Sequence, residues 1–282
     1  MLRVRLAPIV TRRTSSGLVR WLRLPRTVFE YLILYFGLLL LGAMLLGGTV
    51  VCVVLVLTAP KKRRRSRARG AASGVFRYYL NIMGALGIIR CDLSAIDGLR
   101  HDGGLVVAPN HPTLLDAMLM LSRMPNATCI MKSSLSRNFF LGKGAKMAGY
   151  IENDAARSMV RQAVDRLAEG GQLLVFPEGT RTVAEPVNPL KGAFSLIAKK
   201  SGKPVQIVII ETNSPYLRKG WPLWKRPDLP LHYRARLGPK FEPTGTTEEI
   251  KLKTQKIFER ELSRQAVEKT RPYASAESPI DA

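Results

Sequence analysis

The sequence predicts an α/β protein: a mixed sheet flanked by helices, preceded by a membrane-embedded helix or helical hairpin. Two observations carry the prediction. From about residue 90 onward, short apolar runs bounded by turn residues alternate with longer segments of helical spacing, the pattern of a sheet with helices on its faces. Before it, Tyr31 to Thr58 runs without a single charged side chain. Apolar residues make up 46% of the 282, enough for a full core and against wholesale disorder.

Taken in order, residues 1–27 form a basic N-terminal segment with seven arginines and no acid. The membrane-embedded segment, 28–58, follows. Its uncharged stretch would extend about 40 Å as a helix, more than the roughly 30 Å of bilayer hydrocarbon. A secretory h-region is far shorter. Residues 59–73 read as a basic juxtamembrane linker, with Lys61-Lys62-Arg63-Arg64-Arg65-Ser66-Arg67-Ala68-Arg69 at its centre. Basic flanks on both sides conflict with a single span under the positive-inside bias. A re-entrant hairpin bent at Gly42, Gly47 and Gly48 keeps both flanks on one face, and this is the arrangement expected.

Residues 74–270 hold the α/β domain expected here, and 271–282 a flexible tail. Gly74 to Ile89, with Phe76, Tyr79, Leu80, Met83 and Leu86, reads as a helix on the membrane or the domain surface. Strands are expected at 104–108, 127–131, 149–151, 172–176, 204–210 and 231–237. Helices are expected at 113–122, 138–147, 155–169, 190–200 and 246–268.

The net charge of +23 calls for an acidic partner. Residues 1–70 carry +13 of it. Beside an apolar segment, the basic run reads better as an anchor on anionic headgroups than as a nucleic-acid patch, so membrane lipids of an anionic leaflet are the expected partner and nucleic acid is not. Cys52, Cys91 and Cys129 lie far apart without paired spacing, and the only histidines are His101, His111 and His232. No disulfide framework and no metal site is indicated.

The chemistry concentrates in two stretches. Asn110-His111-Pro112-Thr113-Leu114-Leu115-Asp116 follows the apolar run Leu105-Val106-Val107-Ala108 and leads into a helix. Such a histidine is more often a capping or packing residue. The spacing nevertheless lets Asp116 fold back onto the imidazole, accept the Nδ1 proton and leave Nε2 free to take a proton from a hydroxyl. Thr113 and Pro112 suit the start of that helix. The second stretch, Pro177-Glu178-Gly179-Thr180-Arg181, ends the apolar run 172–176. Strand ends are where α/β sheets bind ligands, and an arginine fork suits a phosphate.

Together, His111-(four residues)-Asp116 and Phe176-Pro177-Glu178-Gly179-Thr180-Arg181 resemble the glycerolipid acyltransferase family, of the lysophosphatidic-acid acyltransferase type. Lys132-Ser133-Ser134-Leu135 and Gly202-Lys203-Pro204-Val205 resemble its weaker blocks, and the likeness covers roughly residues 75–240. One departure stands out: where the family often has arginine after Asp/Asn, Asp154 is followed here by Ala155, with Arg157 two places on. The resemblance implies acyl transfer from acyl-CoA or acyl-carrier protein to the hydroxyl of a lysophospholipid, by default 1-acyl-sn-glycerol-3-phosphate, in phospholipid biosynthesis, with no bound cofactor. It implies a catalytic domain on the cytoplasmic face. His111 and Asp116 would be catalytic. Lys132, Glu178, Gly179, Thr180 and Arg181 would bind substrate, with Glu178 orienting either Arg181 or a glycerol hydroxyl.

Two other readings compete. A serine-type lipid hydrolase would need a G-x-S-x-G elbow, which the sequence lacks. A non-catalytic binder of anionic lipid or nucleic acid explains the charge but not the two strand-end motifs.

Overall fold

The computed structural model describes residues 17–270; the basic residues before 17 and the tail 271–282 lie outside the described residues. The chain opens with α1 (Gly17–Thr58), a single 3-10 turn, and α2 (Arg64–Ala85). Strand β1 (Ile89–Asp92) and a short α3 (Ser94–Asp97) lead into β2 (Leu105–Pro109), α4 (Asp116–Arg123), β3 (Ala127–Met131) and α5 (Ser133–Ser136). Then come α6 (Gly142–Ala148), β4 (Ile151–Glu152), α7 (Ala156–Ala168), β5 (Gln172–Leu174), α8 (Gly192–Ser201), β6 (Val205–Thr212), β7 (Leu231–Phe241) and α9 (Thr247–Thr270).

The seven strands form one mixed sheet in the order β1-β7-β6-β2-β5-β3-β4. Only the β6–β7 pairing is antiparallel; the others are parallel. Central β2 is buried at all five positions, as a parallel strand covered on both faces requires. Strand β7, next to the edge strand β1, begins with buried and exposed residues in alternation, the period of a strand with one solvated face. Helices α2 and α4 bury their apolar residues on one face of the sheet, with Leu80, Met83, Leu119 and Met120 beside Val107 and Leu174. On the other face α7, α8 and α9 pack Ala163, Leu167, Phe194, Ile197 and Phe258 against Val106, Leu173 and Ile207.

The N-terminal segment departs from the expected hairpin. α1 is one unbroken helix through Gly42, Gly47 and Gly48, and it is α1 with α2 that forms an antiparallel pair. The glycines do not bend α1. A Cβ on Gly37 would lie 2.8 Å from the Met83 Cε, and one on Gly48 2.6 Å from a Val75 methyl. These positions let the helices approach, which is what small residues do at helix contacts. The basic run likewise continues into the first turns of α2 rather than forming a linker. Farther along α2, Phe76, Tyr79, Leu80 and Met83 recur at helical spacing and are all buried, each burial worth about 2 kcal/mol. Among the described residues, α1 is the one helix long and apolar enough to cross a membrane. One face of it rests on the domain, while Phe29, Leu32, Phe36, Leu39 and Leu57 stay open.

Candidate active site

Strand register brings the two motifs together. β2 and β5 are parallel neighbours, with Val107 opposite Leu174 and the Val175 N–H donating to the Val107 carbonyl at 3.0 Å. The same register, continued past the strand ends, sets His111 across from Glu178. From these two ends the chain leaves to opposite faces of the sheet, α4 to one and α8 to the other. The result is the crevice in which open α/β sheets bind ligands.

The His111 Nδ1 lies 2.8 Å from the Asp116 Oδ2. Asp116 is fully buried. It also accepts the Thr113 N–H at 2.7 Å and, through Oδ1, the Thr113 hydroxyl at 2.6 Å. An ionised carboxylate only accepts, so the imidazole carries its proton on Nδ1 and keeps the Nε2 lone pair free. The ring stacks on Phe176, with centroids 4.0 Å apart, and is thus clamped on two sides. Asn110 ties the strand end to its other neighbour: its amide donates to the Ile210 carbonyl and accepts the Ile210 N–H at 2.7 Å. Thr113 is not the N-cap of α4; its hydroxyl donates to the carboxylate and accepts the Leu115 N–H at 3.3 Å.

Glu178 is equally buried and faces away from the crevice. Its Oε1 accepts the His111 N–H at 2.8 Å and the Thr182 hydroxyl at 2.9 Å, and its Oε2 accepts the Asn188 N–H at 2.9 Å. The His111 carbonyl in turn accepts the Thr182 N–H at 2.7 Å. Burial pushes the Glu178 carboxyl above the ordinary carboxylate value; the Asn188, His111 and Thr182 donors pull the other way and offset part of that. Glu178 therefore holds the backbone of the histidine loop, neither orienting Arg181 nor presenting itself to a glycerol hydroxyl. Gly179 makes the turn that follows, at φ 66°, a conformation in which a side chain is strained.

A cavity of about 740 Å³ opens over this crevice, and His111, Lys132, Gly179, Thr180 and Arg181 all line it. One Arg181 terminal nitrogen donates to the Leu217 and Arg218 carbonyls, fixing the guanidinium at the cavity wall. Leu217 has φ 59° and is the only non-glycine residue with positive φ among those described. Its carbonyl also accepts the Leu114 N–H at 3.1 Å, so the loop between β6 and β7 is latched to both motifs. That loop brings Lys219 to the cavity, a cation that no motif marks. Arg157 does not line the cavity, whereas Asn153 does. Away from the polar end the walls become apolar, with Leu38, Leu41 and Leu45 of α1 facing Phe76, Tyr79 and Met83 of α2. Among the described residues no hydroxyl or thiol bonds to the imidazole, and no cluster of metal-ligating side chains occurs.

Residues 90–211 match the model of the Acyltransferase family. This stretch is similar to the acyltransferase domains that the model describes. Over 120 residues, 40% of the chain, the sequence is 31% identical to a 1-acyl-sn-glycerol-3-phosphate acyltransferase of Chlamydomonas reinhardtii. The match spans 36% of that algal protein. The fold is similar to the crystal structure of the 1-acyl-sn-glycerophosphate acyltransferase PlsC of Thermotoga maritima, with a TM-score of 0.64 at 20% identity, over 88% of this chain and 98% of that one. The matched stretch thus contains both motifs, and the likeness in fold extends beyond it into the N-terminal helices.

Proposed function

We propose that the protein transfers a fatty acyl group from a soluble thioester, acyl-CoA or acyl-carrier protein, to the free hydroxyl of a lysophospholipid, with 1-acyl-sn-glycerol-3-phosphate as the preferred acceptor. The carrying observation is the buried Asp116 at 2.8 Å from the His111 Nδ1, in a crevice whose walls also bear Lys132, Arg181 and Lys219.

An alcohol is a weak nucleophile at neutral pH and needs a base in the transition state. The Nε2 lone pair takes the hydroxyl proton as the oxygen bonds to the thioester carbon. The C–S bond then breaks, and the departing thiolate takes the proton from the imidazolium. Asp116 stabilises that imidazolium and fixes the ring's orientation. No side-chain nucleophile is required. The three cations suit an acceptor phosphate, Arg181 as a planar fork and the two lysines as point charges. The apolar arm between α1 and α2 suits an acyl chain. Lys219 lines the cavity and adds a cation there, while the second block lacks the family's arginine at Ala155.

We further propose that the protein works on the cytoplasmic leaflet, where a lipid acceptor and a soluble donor meet. The exposed run Lys61, Lys62, Arg63, Arg65 and Arg67 supports an anionic surface, each cation near it being worth about 1 kcal/mol.

The test is incubation of purified full-length protein with labelled acyl-CoA or acyl-carrier protein and a panel of lysolipids, followed by mass analysis of the lipids. The expected result is a diacyl product, formed fastest from the lysolipid with a phosphate monoester headgroup. No acylated lipid from any acceptor, by a folded protein that still binds anionic vesicles, would leave the non-catalytic lipid binder as the correct reading.

A further inference from the structure

The turn between α5 and α6 has a build that acyl transfer does not account for. The Asn138 Oδ1 accepts the Phe140 and Leu141 N–H groups at 3.0 and 3.2 Å, and the Gly142 N–H donates to the Asn138 carbonyl at 2.8 Å. Any Cβ on Gly142 would sit 2.1 Å from the Ser136 carbonyl oxygen, so the turn is closed tightly at its base.

This rigid frame turns two phenyl rings outward. Phe139 is 72% and Phe140 41% exposed, and the rings meet edge to face with centroids 5.4 Å apart. An aromatic side chain carries a large area whose exposure to water is unfavourable, and neither ring serves a core. The pair is continuous with the open strip of α1, because the Phe140 ring comes within 3.4 Å of where a Cβ on Gly42 would stand. Arg137, Lys143 and Lys146 ring the turn and are exposed. None of the three forms an ion pair among the described residues. On the other side of the turn, Leu135, Asn138 and Leu141 line the cavity.

We propose that Phe139 and Phe140 form a second membrane anchor, a wedge that enters an anionic leaflet just below its headgroups while Arg137, Lys143 and Lys146 bind the phosphates around it. An amphipathic unit of this kind, with aromatic tips and a cationic collar, draws on both apolar burial and headgroup attraction. Two anchors, α1 and the wedge, define an orientation where one leaves rotation free. They set the cavity wall against the leaflet. The inference rests on the membrane-bound reading above and is independent of the acyl-transfer chemistry.

A nitroxide attached at Phe139→Cys in the full chain tests it, with the unsubstituted protein's signal subtracted and Val183→Cys, an exposed position on another loop, as reference. In phosphatidylglycerol vesicles, the Phe139 label should relax faster with oxygen than with a water-soluble nickel chelate, and the Val183 label the reverse. In phosphatidylcholine vesicles, the Phe139 label should become markedly more accessible to nickel. A Phe139 label as open to nickel as the Val183 label in both vesicles overturns the wedge, including the case in which the turn docks a protein. Equal immersion in both lipids overturns the cationic collar. A positive result alongside absent turnover would keep the wedge and defeat only the acyltransfer reading.

Discussion

At the scale of single residues, the site is organised by two buried carboxylates with different tasks. Asp116 addresses the imidazole itself, and Glu178 addresses the backbone that carries it. Glu178→Gln replaces one acceptor oxygen with an NH2 group that can accept from neither the His111 nor the Asn188 N–H. Leaving one such buried donor unsatisfied costs about 1–3 kcal/mol. We expect a lower midpoint of thermal unfolding, and a fall in kcat larger than any change in acceptor KM, read by calorimetry and steady-state kinetics. Burial raises the Glu178 carboxyl on folding. A raised carboxyl binds its proton more readily folded than unfolded, so its stabilising contribution is full at acid pH and declines as pH climbs from the ordinary value, about 4.3, through the raised one. The stability gap between the wild type and Glu178→Gln should therefore narrow over that climb. A gap that widens would contradict the burial argument.

At the scale of elements, the α1–α2 pair makes a sharp contrast available. Gly48 faces Val75 at contact distance, whereas Gly47 has nothing within 4 Å of its missing Cβ. Gly47→Ala should be tolerated or slightly stabilising, because alanine exceeds glycine in helix propensity by about 1 kcal/mol. Gly48→Leu should force the helices apart, at about 1–3 kcal/mol for overpacking, and should open the apolar arm of the cavity. Thermal stability in detergent and the rate on long-chain acceptors check this; equal behaviour of the two variants would refute the packing account. The same pair explains a limit of sequence reading. Glycines in an apolar run signal a bend or a helix contact alike, and only the partner helix decides. Interior strands were readable because burial on both faces leaves an uninterrupted apolar run, as at Leu105–Pro109. Edge strand β1 (Ile89–Asp92) was not, since Ile89-Arg90-Cys91-Asp92 buries fully only its first residue and blends into the helix before it.

At the scale of the whole molecule, α1 is far longer than a bilayer core is thick, about 60 Å against 30 Å, and it rests on α2, α6 and the cavity rather than standing clear of the domain. Within its middle part, Glu30 pairs with Arg226 of the α/β domain, and Gly48 packs on α2. We therefore propose that α1 lies along one leaflet rather than crossing the bilayer. An N-terminal tag and a cysteine at Ser66 should both react with impermeant reagents from the same side of sealed vesicles; reaction from opposite sides would establish a span. The contact between His111 and Asp116 was legible in the sequence because both lie in one short loop, where spacing alone limits geometry. Lys219 and the true partner of Glu178 were not, because each depends on contacts across distant parts of the chain: Arg181 with the loop after β6, and Glu178 with the end of β2.

The most direct measurement is the turnover of His111→Ala in the full chain, with acyl-CoA and 1-acyl-sn-glycerol-3-phosphate in anionic vesicles, beside a binding measurement on the same vesicles. General-base catalysis contributes about 10²–10⁴-fold. A loss of product formation in that range, with vesicle binding unchanged, is the result predicted. Undiminished turnover in the variant would contradict the account.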